Sequence, residues 1–530
     1  MRQKSENPPP PEPRFTGLGD LPYQGRDAVR HDGGFAHKVG GQWRHLTATE
    51  FMRDVTSVAK GLVAAGVSAG DRVVLACGTR YEWALIAFAV WAARGVLVPV
   101  HPSCPVARLQ HLLRDSLPAA VIVENERHAR AVAGIRHEFP GLARIWRLDD
   151  SLGTDPDSGL NTGLKTIMTA GAYMDPSAIL LRRQETKRDD IAVIAHPATT
   201  ERGSPCAALT HGNLLACAEN LIGRAQPLLD AVPAGEAGTL MHLPLAGTFG
   251  QSMLIAGVMA RVHIGFPPRG SSLLHETRGF APTILLARPS FLERVHGIEH
   301  AIEHEKSNMP GWDNLGAFNS ATEHAIEMSK GGRRGLWRRV SHAMHGWLYT
   351  RIRDHLGGQV RFIVCSGAVP ERMTHFFTGV GMPVLQGFGI TETAGPFTLN
   401  VGGESPAGST GRPIPGMQVR ISSLGEVEVR GAAVFRGYWS SPESARTAFR
   451  EGWLATGVSG RFVSDGSLVV EHGPRRRAHT VAAPSGTAPA LPPPDDWRAD
   501  SRRARHARPA SAPPEEPRPP LPRSGGLPRR

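Results

Sequence analysis

The 530-residue sequence is poor in lysine, cysteine and aromatic residues. Seven lysines stand against fifty-three arginines, and none follows Lys330, so the last two hundred residues offer no ammonium group to chemistry. The five cysteines (Cys77, Cys104, Cys206, Cys217 and Cys365) are scattered, odd in number and without a CxxC pair. That excludes a disulfide framework and a structural zinc site, and fits the reduced thiols of a cytoplasmic protein. Aromatic residues make up 6% of the chain. No apolar run reaches the roughly 18 residues that a membrane-spanning helix needs. Met1–Arg14 is polar and proline-rich with no apolar h-region, which argues against a secretory signal.

The net charge is +12, but it is unevenly placed. From Arg475 onward twelve arginines face five acids, so +7 of the charge lies in that tail and about +5 is spread over the rest. A nearly balanced body with a basic tail is not a basic groove, and nucleic acid is not expected as a partner. Trp497 is the only aromatic residue of the tail, so no stacking platform for bases is present there. Binding of nucleic acid or a membrane surface by the tail stays open as an alternative; steep salt dependence would be its signature.

Four segments follow from patterning. Residues 1–30, with Pro8–Pro11, read as a disordered leader. Residues 31–415 read as a large α/β domain. From Thr47 to Gly66 apolar residues recur at three and four (Phe51, Val55, Val58, Ala59, Leu62, Val63), which predicts an amphipathic helix. Short strands at Asp71–Ala76, Val96–Val100 and Ala120–Val123 alternate with helices at Glu82–Gly95 and Pro105–Asp115, the pattern of a parallel, doubly wound sheet. The pattern restarts at Ile191–Ile194, followed by a helix over Asn213–Gln226 and strands at Thr283–Leu286 and Arg361–Val364. Residues 416–474 change to period two, as in Gln418–Ile421 and Glu426–Val429, and read as a small β-rich subdomain. Residues 475–530 lose hydrophobic periodicity and read as a disordered Pro/Arg-rich tail.

The chemistry candidates lie in the second α/β unit. In Gly387-Phe388-Gly389-Ile390-Thr391-Glu392, Phe388 offers a ring for a base and Thr391 a hydroxyl for a phosphate. Glu392 offers a hard carboxylate that suits Mg²⁺. Placed at the carboxyl end of a strand at Val384–Leu385, the stretch sits where open α/β sheets bind ligands, and its glycines let backbone approach a nucleotide. The alternative is a loop glutamate beside a core aromatic. Ser366-Gly367-Ala368 follows another strand and reads as a turn that could wall the same site. His211 has no visible carboxylate partner and reads as a structural residue at a helix entry.

Taken in order, Gly70–Val73, Thr79–Trp83, Leu209–Leu214, Leu243–Ala246, Gly387–Thr393, Gly411–Gly416 and Val434–Trp439 resemble the AMP-forming adenylate ligases, nearest to bacterial long-chain fatty acyl-CoA synthetases. The resemblance covers roughly residues 30–475. It implies a large N-terminal domain of two doubly wound sheets plus a small β-rich part. It implies ATP, Mg²⁺ and CoA as cofactor or co-substrates, a fatty acid as substrate, and a cytoplasmic enzyme with peripheral attachment at the inner membrane face. Thr391 and Glu392 take the catalytic roles in that resemblance, with Glu392 on the metal. Thr199, Thr200, Ser366, Gly367, Ala368, Gly387, Phe388, Gly389 and Thr391 line the nucleotide.

The chain departs from the family pattern at several of its working positions. The family's phosphate loop is rich in glycine and ends in Pro-Lys-Gly; aligned on Thr199-Thr200 its glycines become Ala198 and Glu201, and aligned on Pro205 its lysine becomes Cys206. Its histidine after Leu-Pro-Leu-Ala becomes Gly247. The ribose-binding aspartate becomes Val458, and the later Gly-Arg becomes Gly473-Pro474. A C-terminal domain carrying a lysine has no counterpart, because no lysine follows Lys330. These departures imply an impaired or inactive ligase, a nucleotide- or acyl-binding pseudoenzyme being one alternative and a truncated or frameshifted gene product another.

Overall fold

The protein, seen in a computed structural model, is described over residues 14–24, 33–148, 161–196, 205–297, 314–330, 336–401, 406, 408–439 and 441–472. All of these fall within one of the two units into which the chain divides, Met1–Arg477 and Ala478–Arg530.

Alternation along the strands decides the layering. In Arg72–Ala76, Val73 and Leu75 face one apolar cluster while Val74 and Ala76 face another. The same alternation puts Ile284 and Leu286 on one side of Ile284–Ala287, and Leu285 and Ala287 on the other. A strand buried on both faces needs helices on both faces, and this is what forms.

The first sheet has eight strands among the described residues, in the order Gly437–Tyr438, Ala207–Thr210, Ile191–Ala195, Val96–Val100, Arg72–Ala76, Ala120–Val123, Arg144–Arg147 and Asn161–Thr162. The second has nine: Arg412–Pro413, Gly395–Leu399, Val384–Ile390, Phe362–Ser366, Ile284–Ala287, Gly238–Leu240, His263–Phe266, Phe35–Val39 and Gln42–Leu46. Both are mainly parallel, with antiparallel strands at their edges. A third, five-stranded antiparallel sheet is built from Met417–Ile421, Glu426–Gly431, Trp453–Phe462, Phe449–Arg450 and Leu468–His472.

The layer shared by the two large sheets holds the most apolar helix. Tyr81–Ala92 is buried on every side and touches strands of both sheets. A helix hydrophobic all round belongs in a core, not on a surface. Its Trp91 indole donates to the Ala192 carbonyl at 3.0 Å. Beside it, Ala48–Ala64 starts in a capping box, with Thr47 Oγ1 accepting from the Glu50 amide and Glu50 returning to the Thr47 amide. The helix stops at Ala64, and Gly66, at φ +99°, turns the chain away.

Residues 14–24 correct the sequence reading. Expected as part of a disordered leader, they form a short helical turn, Leu18–Tyr23, with Leu18 and Leu21 in the core. The Leu18 amide donates to His211 Nδ1 at 3.1 Å, and Arg183 pairs with Asp20 at 3.0 Å. Composition hid these two leucines among polar and proline neighbours. Residues 1–13 and 25–32 lie outside the described residues, as do 473–530.

Candidate functional site

The Gly-Phe-Gly-Ile stretch is not a loop beyond a strand end. The strand Val384–Ile390 runs through it, and Gly395–Leu399 returns antiparallel, so the stretch is one arm of a hairpin with Thr391–Ala394 at its tip. This corrects both the expected placement and the expected reason for the glycines. A Cβ on Gly389 would lie 2.0 Å from the Gly395 carbonyl oxygen, and one on Gly387 would lie 2.8 Å from that of Thr398. The close approach these glycines permit is to the protein's own return strand. Phe388 is half-buried, edge-on to Phe397 at 5.4 Å.

Gln386 joins the hairpin to the neighbouring turn. Its side-chain oxygen accepts from the Val369 amide at 3.0 Å, and its amide nitrogen donates to Thr374 Oγ1 at 2.9 Å. Ser366 pairs in register with Gly387 on the adjacent parallel strand. The turn Ser366-Gly367-Ala368 therefore stands beside Gly387–Gly389 at the carboxyl ends of the strands, with Gly367 at φ +117° and both Gly367 and Ala368 exposed. The predicted juxtaposition of these two groups is present. Gln386 itself was missed, though a polar residue after Val384-Leu385 was its signal.

At the tip the two threonines divide. Thr393 is buried, accepting from the Ile390 amide and donating to the Gly395 carbonyl, so it holds the turn. Thr391 is half-buried, and its hydroxyl has no hydrogen bond among the described residues. Glu392, also half-buried, is held twice: its carbonyl accepts from the Phe435 amide at 2.8 Å and its Oε1 from the Tyr438 hydroxyl at 2.9 Å.

The segment bearing those two aromatics is itself tied down. Asn213 donates to the carbonyls of Ala432 and Val434, at 2.8 and 2.9 Å. Gly437 and Tyr438 pair with Ala208 and Ala207, and the Trp439 amide donates to the Cys206 carbonyl at 2.7 Å. Thr199 and Thr200 lie in 197–204, outside the described residues, but both ends of that stretch are visible. His196 Nδ1 is 2.9 Å from Cys206 Sγ, and Sγ donates to Asp115 Oδ2 at 3.3 Å. Burial, then Arg108, lowers His196 to about 4, while burial and the Asp115 carboxylate push the Cys206 thiol well up. Both groups are neutral near pH 7. Cys206 belongs to the outer apolar cluster of the first sheet and supplies no cation for a phosphate.

His211 opens the helix His211–Leu229, buried, with Nδ1 accepting from Leu18. Burial lowers it to about 4, so it is a neutral structural residue and not an acid–base group. Val458 is fully buried within Trp453–Phe462, in the small sheet. Gly473-Pro474 lies outside the described residues.

Behind the hairpin is an apolar cavity with about 690 Å³ of atom-free space, part of it open to solvent. Leu221, Ala225 and Leu229 line it from His211–Leu229, and Phe249, Met253 and Ala256 from Thr248–Met259. Leu385, Pro396 and Leu399 of the hairpin arms close it. Thr239 is the one polar residue of its wall. Such a space takes a flexible hydrocarbon and offers an ionised group almost nothing. Among the described residues no group of three or more His, Cys, Asp or Glu could hold a metal ion, and no helix is long and apolar enough to cross a membrane.

Residues 24–439 match the family model of the AMP-binding enzyme. The long-chain-fatty-acid–CoA ligases FadD15 of Mycobacterium bovis and Mycobacterium tuberculosis are each 31% identical to the chain over 459 residues, 86% of this chain and 73% of theirs. ATP-bound MatB from Rhodopseudomonas palustris shares the fold at a TM-score of 0.64 with 20% identity, over 86% of this chain and 78% of that one. The N-terminal domain of FACL13 from Mycobacterium tuberculosis does so at 0.60 with 17% identity, over 86% of this chain and all of that one. With the two doubly wound sheets and the matched span together, the chain belongs to the AMP-binding enzyme family, the AMP-forming adenylate ligases.

Proposed function

We propose that this chain binds a long-chain carboxylic acid in the cavity and an adenine nucleotide against the hairpin, and that its transfer of the adenylyl group of ATP to the acid, with pyrophosphate leaving, is impaired. The observation that carries the reading is the cavity itself. Its walls are apolar, and Leu385, Pro396 and Leu399 of the hairpin close it; in this reading the carboxylate of an acid seated there is directed to the stretch bearing Thr391 and Glu392. In this reading the adenine lies between Phe388 with Gly387 and Gly389 on one side and the turn Ser366-Gly367-Ala368 on the other. Thr199, Thr200 and Thr391 give hydroxyls to phosphates.

A resident Mg²⁺ needs only one or two protein carboxylates when phosphate oxygens and water complete its shell. Glu392 fits that demand: a fixed carboxylate with Oε1 hydrogen-bonded leaves Oε2 for the ion. Bound there, the ion would neutralise phosphate charge. CoA would be the acyl acceptor, as in the family. Peripheral attachment to the inner membrane face would bring the chain to its acid.

The impairment rests on what replaces the phosphate-loop lysine and the ribose carboxylate. Cys206 is a neutral thiol turned into the outer core, and Val458 is sealed in the small sheet. Catalysis of this kind depends on charge placed around phosphates, and each missing donor costs rate. Pyrophosphate exchange with purified protein, ATP and a panel of fatty acids tests the reading. We expect long-chain acid binding by calorimetry with exchange far below that of an intact ligase. Robust exchange abolished by Glu392→Ala would overturn the impairment; failure to bind any acid would overturn the substrate class.

A further inference from the structure

We infer that Tyr438 is a positioning residue for the metal-binding carboxylate, setting Glu392 in the one orientation from which it can take a nucleotide-bound divalent cation. The inference rests on the nucleotide reading above. It starts from the 2.9 Å hydrogen bond between the phenol and Glu392 Oε1. A carboxylate at the tip of a hairpin would otherwise sample several rotamers, and fixing one in advance lessens the entropy lost when an ion binds.

Three features show that the phenol is placed rather than incidental. Phe435 packs edge-on against the Tyr438 ring, with centroids 4.8 Å apart and planes at 74°, which restricts the ring. The Phe435 amide donates to the Glu392 carbonyl, so the same short segment holds the backbone and the side chain of one residue. That segment is anchored at both ends, by Asn213 on Ala432 and Val434 and by the pairing of Gly437 and Tyr438 with Ala208 and Ala207. Residues 46 positions apart in sequence are thereby held as a rigid pair.

The chemistry has a direction. The phenolic O–H donates to Oε1 and so leaves the other oxygen, Oε2, to the cation. Carboxylates that ligate metals are commonly hydrogen-bonded in this way, and losing the partner costs about 10–100-fold in metal affinity. Tyr438→Phe removes the hydroxyl and keeps the ring against Phe435, so it isolates the hydrogen bond from the packing.

The test uses the full chain, with ATP binding followed by calorimetry as Mg²⁺ is titrated, and Mn²⁺ binding followed by electron paramagnetic resonance. Tyr438→Phe is expected to raise the metal concentration required by about 10-fold or more, leaving metal-free ATP affinity unchanged and the protein folded, with the unfolding midpoint lowered by no more than the loss of one hydrogen bond. Glu392→Gln should remove the metal dependence, and Tyr438→Phe added to it should then do nothing further. A Tyr438→Phe protein with the metal requirement of the unmodified chain overturns the inference, as does an undiminished effect on the Glu392→Gln background. If the unmodified chain binds ATP with no response to metal, this inference alone fails. If it binds no ATP under any condition, the nucleotide reading fails with it.

Discussion

Cys206 Sγ stands 2.9 Å from His196 Nδ1, so one side-chain contact joins the residues on either side of 197–204. Asp115, on the helix Val106–Ser116, takes the thiol hydrogen at 3.3 Å and fixes the pair to the outer layer of the first sheet. At the position to which alignment on Pro205 brings the family's lysine, Cys206 fastens the entry to the strand Ala207–Thr210 to a helix.

This orientation bears on whether the family residue can be restored. Because Cys206 faces Asp115 and the outer core, a lysine put there buries its stem in that core and pairs with Asp115, instead of reaching a phosphate. Cys206→Lys is expected to leave pyrophosphate exchange at its starting level and to lower stability by about 1–3 kcal/mol. Urea unfolding and the exchange assay, run on the same preparation, check both halves. A clear gain in exchange would show that the side chain turns inward.

His211 makes acid stability a second test. Its imidazole is lowered to about 4 in the folded protein by burial, against the ordinary 6.5 when unfolded. Between those values the unfolded chain takes up a proton that the folded chain refuses, so stability is complete above pH 6.5 and falls as the pH drops toward 4. The shift corresponds to about 3 kcal/mol at full extent. A charged ring also cannot accept from the Leu18 amide, so the loss includes the docking of residues 14–24. In His211→Gln the stability measured by urea unfolding should vary less with pH across that window, by about the same amount.

The hairpin gives a steric test. A methyl group on Gly389 would meet the Gly395 carbonyl oxygen at 2.0 Å, and that oxygen belongs to backbone that cannot swing aside. Gly389→Ala should open the hairpin, costing about 1–3 kcal/mol and weakening nucleotide binding. Gly387→Ala, with its nearest contact at 2.8 Å, should cost less. Thermal unfolding of the two variants side by side checks the order.

The sequence made the alternating architecture plain, because short apolar strands and longer helical stretches, amphipathic or wholly apolar, follow one another from Ala48 to Val123. What it concealed depends on partners far away in the chain. The antiparallel return Gly395–Leu399 follows only the three-residue helical turn Thr391–Thr393, so nothing local distinguishes a hairpin arm from a loop. Leu18 owes its burial to His211 and to Gly19 lying against Ala92, not to its own neighbours. Cys206 lies just before the strand Ala207–Thr210, and its direction is fixed by Asp115 and His196, 91 and 10 residues away in the chain. Tyr438 reaches Glu392 only because the chain leaves the small sheet after Glu426–Gly431 and joins the edge of the first large one at Gly437–Tyr438.

The cavity offers the test closest to function. Ala225 lies between Leu221 and Leu229 on one helix, one turn from each, and the three share the wall with Phe249, Met253 and Ala256 of the other helix. Small side chains at Ala225 and Ala256 keep the bore open, whereas a ring there would occupy the path of the hydrocarbon. Each methylene kept out of an apolar site forfeits roughly 0.8 kcal/mol. Displacing two of them should weaken a long-chain acid by about 10-fold. Ala225→Phe is therefore expected to lose affinity for long-chain acids while holding short-chain acids as before, so that the preference for length falls. Calorimetric titration with a series of saturated acids measures the change. Equal weakening at every length would place the acid's head, and not its tail, beside Ala225.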